Sequence, residues 1–321
     1  MNAVLVDLLI QLAIFSIITL GLDFIVGYTK IFSVNQALLF GIGAFSYAFC
    51  VQSLKTSNLL LAWAIALAVS AIVSALVGLI SLRVRGDYFV VVSFGIQIIG
   101  MQVIFNVSAL SGGQSGSFGL PAPTLLGWTP ASQTDFLILV LGVAALLYLG
   151  TGLLLRSPWG RLLRSVGEEE AAVEAAGFNV RRVKIVAFIV GGCLAAIAGP
   201  MYVGYIGIAQ VGDYSLNISI SLLAMVLLGG AGRLAGGVVG AAIFVLVPNL
   251  LTRLSLPLST AAFAQQAIFG ALLLLVVVLL PGGLTGGSVS MARWLMARSK
   301  GRRGTDGDDG VVEPTTAEAR A

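Results

Sequence analysis

The sequence predicts an all-α integral membrane protein, a polytopic helical bundle of about nine apolar segments. Three observations predict it. Of 321 residues, 58% are hydrophobic and 10% are charged, against roughly 45–50% apolar in soluble domains. Stretches free of Asp, Glu, Lys and Arg recur at 56–82, 136–155, 185–211, 234–252 and 254–292. Each is near or beyond the roughly 20 apolar residues that cross a hydrocarbon core of about 30 Å. Small residues also recur at four-residue spacing, as in Gly191, Ala195 and Gly199, or Gly236 and Gly240. Such rows let transmembrane helices approach closely.

The segments fall at 3–22, 36–53, 59–80, 88–106, 135–155, 185–206, 214–231, 235–252 and 262–280. The first has no basic leader region, Asp7 being its first charge, and reads as a retained span. Segment 36–53 is short and rich in Gly, Ala and Ser, which suits a broken or re-entrant element buried in protein. The crossings therefore number eight to ten. Between segments four and five, residues 107–134 break into SGGQSGSFGLPAP, an exterior loop long enough to carry a role. Pro200 removes a backbone bond inside its segment and is expected to bend it. A transmembrane domain thus spans 1–282. Residues 283–321 form a polar tail whose end, 304–321, has the acidic, aromatic-poor composition of disorder.

The charged interruption at 156–184 holds six of the eighteen Lys and Arg residues and four of the fourteen acids. Placing this loop in the cytoplasm and alternating outward puts sixteen of the eighteen cations inside, leaving Lys55 and Arg253 outside. That satisfies the positive-inside rule and sets the N-terminus outside and the C-terminus in the cytoplasm. The net charge of +4 follows from these loops and calls for no nucleic acid. Without histidine, metal and near-neutral proton chemistry are poorly provided for. Cys50 and Cys193 lie in apolar runs, where inert buried thiols are the rule.

Within the charged loop, GEEEAAVEAAGFN reads as a short helix over 168–179. Glu170 and Glu174 share one face, Ala172, Ala175 and Ala176 form a bare surface, and Gly177 suits a left-handed cap. An ordinary charged loop is as good a reading from physics alone.

The continuation GEEEAAVEAAGFNVRRVKIVAFIVGGCLAAIAGPMY is similar to the coupling segment of the branched-chain amino-acid type of ABC importer permease, the LivM-like inner-membrane family. Four further motifs resemble that family in order: GYTKIFSVNQALLFGIGAF, DYFVVVSFG, LSGGQSG and VLLGGAGRLAGGVVGA. The resemblance runs from about residue 20 to 282. It implies a permease subunit of a binding-protein-dependent importer in the bacterial plasma membrane, not itself an enzyme, moving branched-chain or other amino acids, an amide or urea. It also implies two ABC ATPase subunits, which would bring ATP and Mg, with no cofactor and no metal expected on this chain itself. Further implied partners are a second homologous permease, a heterodimer being expected, a periplasmic or extracellular solute-binding protein that meets the SGGQSG turn, and the lipid bilayer. Glu168, Glu170, Ala172, Glu174, Gly177 and Asn179 would contact the ATPase.

Departures from the family pattern mark Asp23, Asn35, Gln97 and Ser221 as candidates for the translocation path. Many relatives have Asn at position 23, Gly at 35, and a carboxylate where Gln97 and Ser221 stand. Asp23 and Lys30, seven residues apart, would pair if the first helix continued through Gly27; an interfacial position for both is the alternative. An ATPase-independent secondary transporter or channel is the rival reading, although the spans offer few ionisable residues beyond Asp7 and Asp23. An intramembrane enzyme would need a nucleophile with its base, or a metal cluster.

Overall fold

The computed structural model describes residues 3–84, 88–107, 112–113, 116–125, 127–252 and 270–271. Its helices are α1 (Ala3–Thr29), α2 (Gln36–Gln52), α3 (Leu59–Ser81), α4 (Tyr88–Asn106), α5 (Gln133–Arg156), α6 (Pro158–Glu168), α7 (Glu170–Ala175), α8 (Val180–Ile206), α9 (Leu216–Gly229) and α10 (Leu234–Thr252). Eight of the nine expected segments therefore appear as helices. Of the ninth, 262–280, only 270–271 are described, and the tail 283–321 and Arg253 lie outside the described residues. Among the described residues, six helices are long and apolar enough to cross a membrane.

The bundle is built around α8 and α2. In α1 and α8, 61% of the membrane-length window is buried inside the protein, against 28% in α3, α4 and α5. The peripheral helices turn Leu76, Val91, Ile99, Leu146 and Leu153 outward, as lipid-facing surfaces do. The glycine rows explain how the centre closes. A Cβ on Gly191 would lie 2.6 Å from the Gly21 carbonyl oxygen, so α8 and α1 touch backbone to backbone. Gly199 likewise abuts α2 at Gly43 and Ala44, Gly236 abuts Gly230, Gly240 abuts Met225, and Ala195 is fully buried. α8 runs through Pro200 without interruption and ends on Gly207 in the left-handed region (φ 77°).

α2 is the short segment, 17 residues and about 25 Å at 1.5 Å per residue. It is buried over almost its whole length. Residues 30–35, which are not helical, carry the chain from the end of α1 back into the bundle before α2 begins. At that point the Gln36 side-chain amide donates to the carbonyls of Ile18 (3.5 Å) and Gly191 (3.3 Å). Gly191 is eleven residues into α8, so α2 starts about 16 Å inside the bundle. Irregular backbone at that depth is tolerated only where protein surrounds it.

At the opposite end, β1 (Ser117–Phe118) pairs antiparallel with β2 (Ile208–Ala209), fastening the 107–134 loop beside the end of α8. A 3₁₀ turn, Val211–Tyr214, leads into α9. The Tyr47 hydroxyl donates to Pro121 O (2.7 Å) and holds the same loop over α2. At the N-terminal end of α5, Ser132 and Asp135 form a capping box.

Candidate functional site: the α6–α7 loop and the bundle interior

The charged loop folds as two helices. The backbone is extended at Glu169 (φ −150°, ψ 97°), so the single helix expected over 168–179 is divided. Glu168 ends α6, and α7 covers Glu170–Ala175. Pro158 starts α6 at a position where its missing N–H has no helical partner anyway. α6 is amphipathic: Gly160, Leu163 and Val166 are buried, while Arg161 and Arg164 are exposed. Its apolar face joins Phe24, Tyr28, Val173, Val180 and Val183 in one cluster. Trp159 stacks on Phe24 (centroids 5.8 Å, 12° between planes), and the Arg164 guanidinium lies 5.3 Å over the Tyr28 ring.

α7 has one buried side chain, Val173. The Phe178 N–H donates to Val173 O (3.2 Å) and the Gly177 N–H to Glu174 O (2.9 Å). These two bonds, with Gly177 at φ 86°, make a Schellman cap. Glu170 forms an ion pair with Lys184 of α8, whose side chain is 11% exposed. Asn179 accepts the Arg182 N–H (3.2 Å) as the N-cap of α8. Thus Glu168, Ala172, Glu174, Gly177 and Asn179 are all exposed on one projecting loop, with Glu170 tied back to the bundle. The sequence reading overlooked Phe178, which stands 54% exposed beyond the cap. Its signal was the aromatic residue directly after the capping glycine. A cavity of about 820 Å³ opens between this loop and the bundle, lined by Lys30, Ser81, Glu170, Arg181 and Lys184 among others.

The four path candidates separate. Asp23 is 2% exposed, with Oδ1 accepting the Gly232 N–H (2.7 Å) and Oδ2 without a hydrogen-bond partner among the described residues. Lys30 follows the end of α1 at φ 55° and is exposed, so Asp23 turns to Gly232 rather than to Lys30. Asn35 is fully buried, and its Oδ1 accepts from Ser33 Oγ. Gln97 bridges two elements: Oε1 accepts the Leu38 N–H (2.8 Å) and Nε2 donates to Tyr214 O (2.9 Å). Ser93 Oγ takes the Val34 N–H (3.1 Å) and Ser219 Oγ the Ala37 N–H (3.0 Å). Side chains of α4 and α9 thereby satisfy the first free N–H groups of α2. Ser221 alone of the four reaches the outer surface, half-buried on α9 and donating to Asn217 O (2.8 Å). Asn217, one turn earlier on α9, is exposed too, as is Asp213 in the 3₁₀ turn before the helix.

Residues 4–278 match the family described as the permease component of the branched-chain amino acid transport system. The chain is 28% identical over 304 residues to the high-affinity branched-chain amino acid transport system permease protein LivM of Escherichia coli, covering 87% of this chain and 69% of that one. It is 28% identical over 238 residues to the probable branched-chain amino acid transport permease protein LivM of Methanocaldococcus jannaschii, covering 70% and 68%. It is 31% identical over 206 residues to the autoinducer 2 import system permease protein LsrC of Klebsiella pneumoniae, covering 58% and 57%. No solved structure matches. With nearly the whole membrane domain matched and several bilayer-length helices present, the chain is a multi-pass inner-membrane protein and belongs to the family of branched-chain amino acid transport permease components.

Proposed function

We propose that this permease imports a small amino acid, branched-chain or closely related, and that ATPase subunits drive it by docking on α7 and its cap. The observation that carries the proposal is the mounting of α7. One buried valine, a Schellman cap and an ion pair hold a six-residue helix rigidly, while its alanines, Glu174 and Phe178 stay exposed. A bare small-residue face beside an aromatic anchor fits a groove in a soluble partner. Two ATPases and a second, homologous permease complete the assembly, and a solute-binding protein meets the loop fastened by β1 and β2.

The loop end is cytoplasmic in this reading. Lys30, Arg181 and Lys184 share one cavity there, and Arg233 follows the Gly232 contact with α1. The solute path follows the outer face of α9, where Asn217 and Ser221 lie one turn apart on a face that the second permease would enclose, with Asp213 in the 3₁₀ turn that precedes it. A carboxylate at its outer mouth suits the ammonium group of an amino acid. Alternating access then needs α9 to move when the ATPases close.

The test is affinity recovery of the tagged permease from gently solubilised membranes, with Glu170→Arg/Gly177→Trp as the comparison. Recovery of ATPase and second permease with the wild type, and loss of ATPase alone with the variant, is expected. Absence of ATPase from both would overturn the reading. Competition of leucine uptake by unlabelled amino acids against sugars in vesicles tests the solute class.

A further inference from the structure

We propose that Asp23 and Gly27 are positioning residues that transmit movement of the α6–α7 loop to α9 through the last two turns of α1. The inference rests on the docking reading above. Residues 23 and 27 lie four apart on one face of α1; residues 24 and 28 lie four apart on the adjacent face.

The second face carries the loop. Trp159 stacks on Phe24 and Arg164 lies over Tyr28. Gly167 presses on the Tyr28 carbonyl, leaving no room for a Cβ. The first face carries the turn that follows α9. Asp23 Oδ1 accepts the Gly232 N–H at 2.7 Å, and a Cβ on Gly27 would lie 2.7 Å from the Gly232 Cα. A Cβ on Gly232 would in turn lie 3.0 Å from Gly27 O.

Glycine against glycine with one side-chain-to-backbone hydrogen bond is a close seat with little flexible side chain to absorb displacement. Among the described residues no extensive packing joins α6 or α7 to α9 directly, whereas α1 packs against both α6 and α9. A shift of the loop reaches α9 by tilting the end of α1, which pulls the 230–233 turn with it, while Leu234 just after that turn packs on the same apolar cluster as the loop. Burying a carboxylate within a span is expensive and is rarely kept without a role. Asp23 is enclosed by the bundle and aimed at backbone, so its role is to hold the turn and not to contact solute.

The test uses the whole transporter in proteoliposomes, with solute uptake and ATP hydrolysis measured on the same preparation. Asp23→Ala is expected to retain ATPase subunits and hydrolysis while uptake per ATP falls about tenfold, a typical size for coupling between sites. Asp23→Asn, which keeps an acceptor at Oδ1, is expected to restore the ratio. Trp159→Ala, on the other face of α1, is expected to lower it in the same way. An unchanged ratio in Asp23→Ala, or an Asn variant as defective as Ala, would overturn the proposal. Failure of the wild type to bind ATPase would instead remove the docking reading on which it rests.

Discussion

The carboxamide of Gln97 on α4 accepts the Leu38 N–H at 2.8 Å and so caps a helix that begins inside the bundle. The same amide donates to Tyr214 O at 2.9 Å, joining α4, α2 and the start of α9. Gln97→Leu strands a buried donor and a buried acceptor together, and loss of such partners costs about 1–3 kcal/mol per group. The variant is expected to unfold at clearly lower temperature in detergent than wild type. Gln102→Leu, on the exposed face of the same helix, is expected to leave that temperature unchanged.

The contact between α8 and α2 has no space for added atoms. A Cβ on Gly199 would lie 2.5 Å from the Gly43 carbonyl carbon, so Gly199→Val is expected to force the two helices apart. A destabilisation of about 1–3 kcal/mol is typical of overpacking. Gly142→Ala on α5, where nothing lies within 4 Å, is expected to be neutral or mildly stabilising. Denaturant midpoints of the purified protein compare the two.

The cap of α7 depends on a backbone conformation that side chains resist. Gly177 sits at φ 86°, and a Cβ there is expected to cost about 1–2 kcal/mol. Gly177→Ala should speed hydrogen exchange at the Phe178 amide, whose acceptor is Val173 O. Recovery of the ATPase should fall with it, whereas Gly212→Ala, in open space at the other end, should alter neither.

The Lys184–Glu170 ion pair fastens the first turn of α7 to α8, with Glu170 half-exposed. Lys184 is largely buried but Glu170 stays open to solvent, which screens the pair toward about 1 kcal/mol. Met keeps the apolar packing of the lysine stem, so Lys184→Met is expected to change global stability only slightly. Its effect should be local. Faster exchange over α7, together with reduced ATPase recovery as salt is raised, would mark the pair as the strut of the docking helix. Unchanged exchange would exclude that role.

Apolar runs made the membrane helices legible because every span must be apolar over most of its length. Charge misled the reading of α1, placed to end at 22. Asp23 does not stop the helix, because a backbone N–H more than 200 residues later in the chain satisfies it and α1 continues to Thr29. The shortness of segment 36–53 was visible, but its entry at depth was not. The groups that cap it come from Gln97 and Ser219, 59 and 182 residues from the amides they serve. No local spacing encodes such partners. In the charged loop the residue types marked a projecting element, while the break at Glu169 depends on how Val166 and Val173 both reach the Phe24–Tyr28 cluster. Of the SGGQSG turn, Gly112, Gly113 and Gly116 fall among the described residues, each at positive φ, and the rest lie outside them.

The depth at which α2 begins also governs how the protein is made. A helix of 17 residues with a polar entrance cannot be released into lipid by itself. Its principal wall, α8, leaves the ribosome only after α3, α4, α5 and both loop helices have been synthesised. Until then α2 must be sheltered by α1 and α3 or by the insertion machinery, so the centre of this permease is completed late in biogenesis, and variants that loosen α8 are expected to accumulate at lower levels than those on the outer helices.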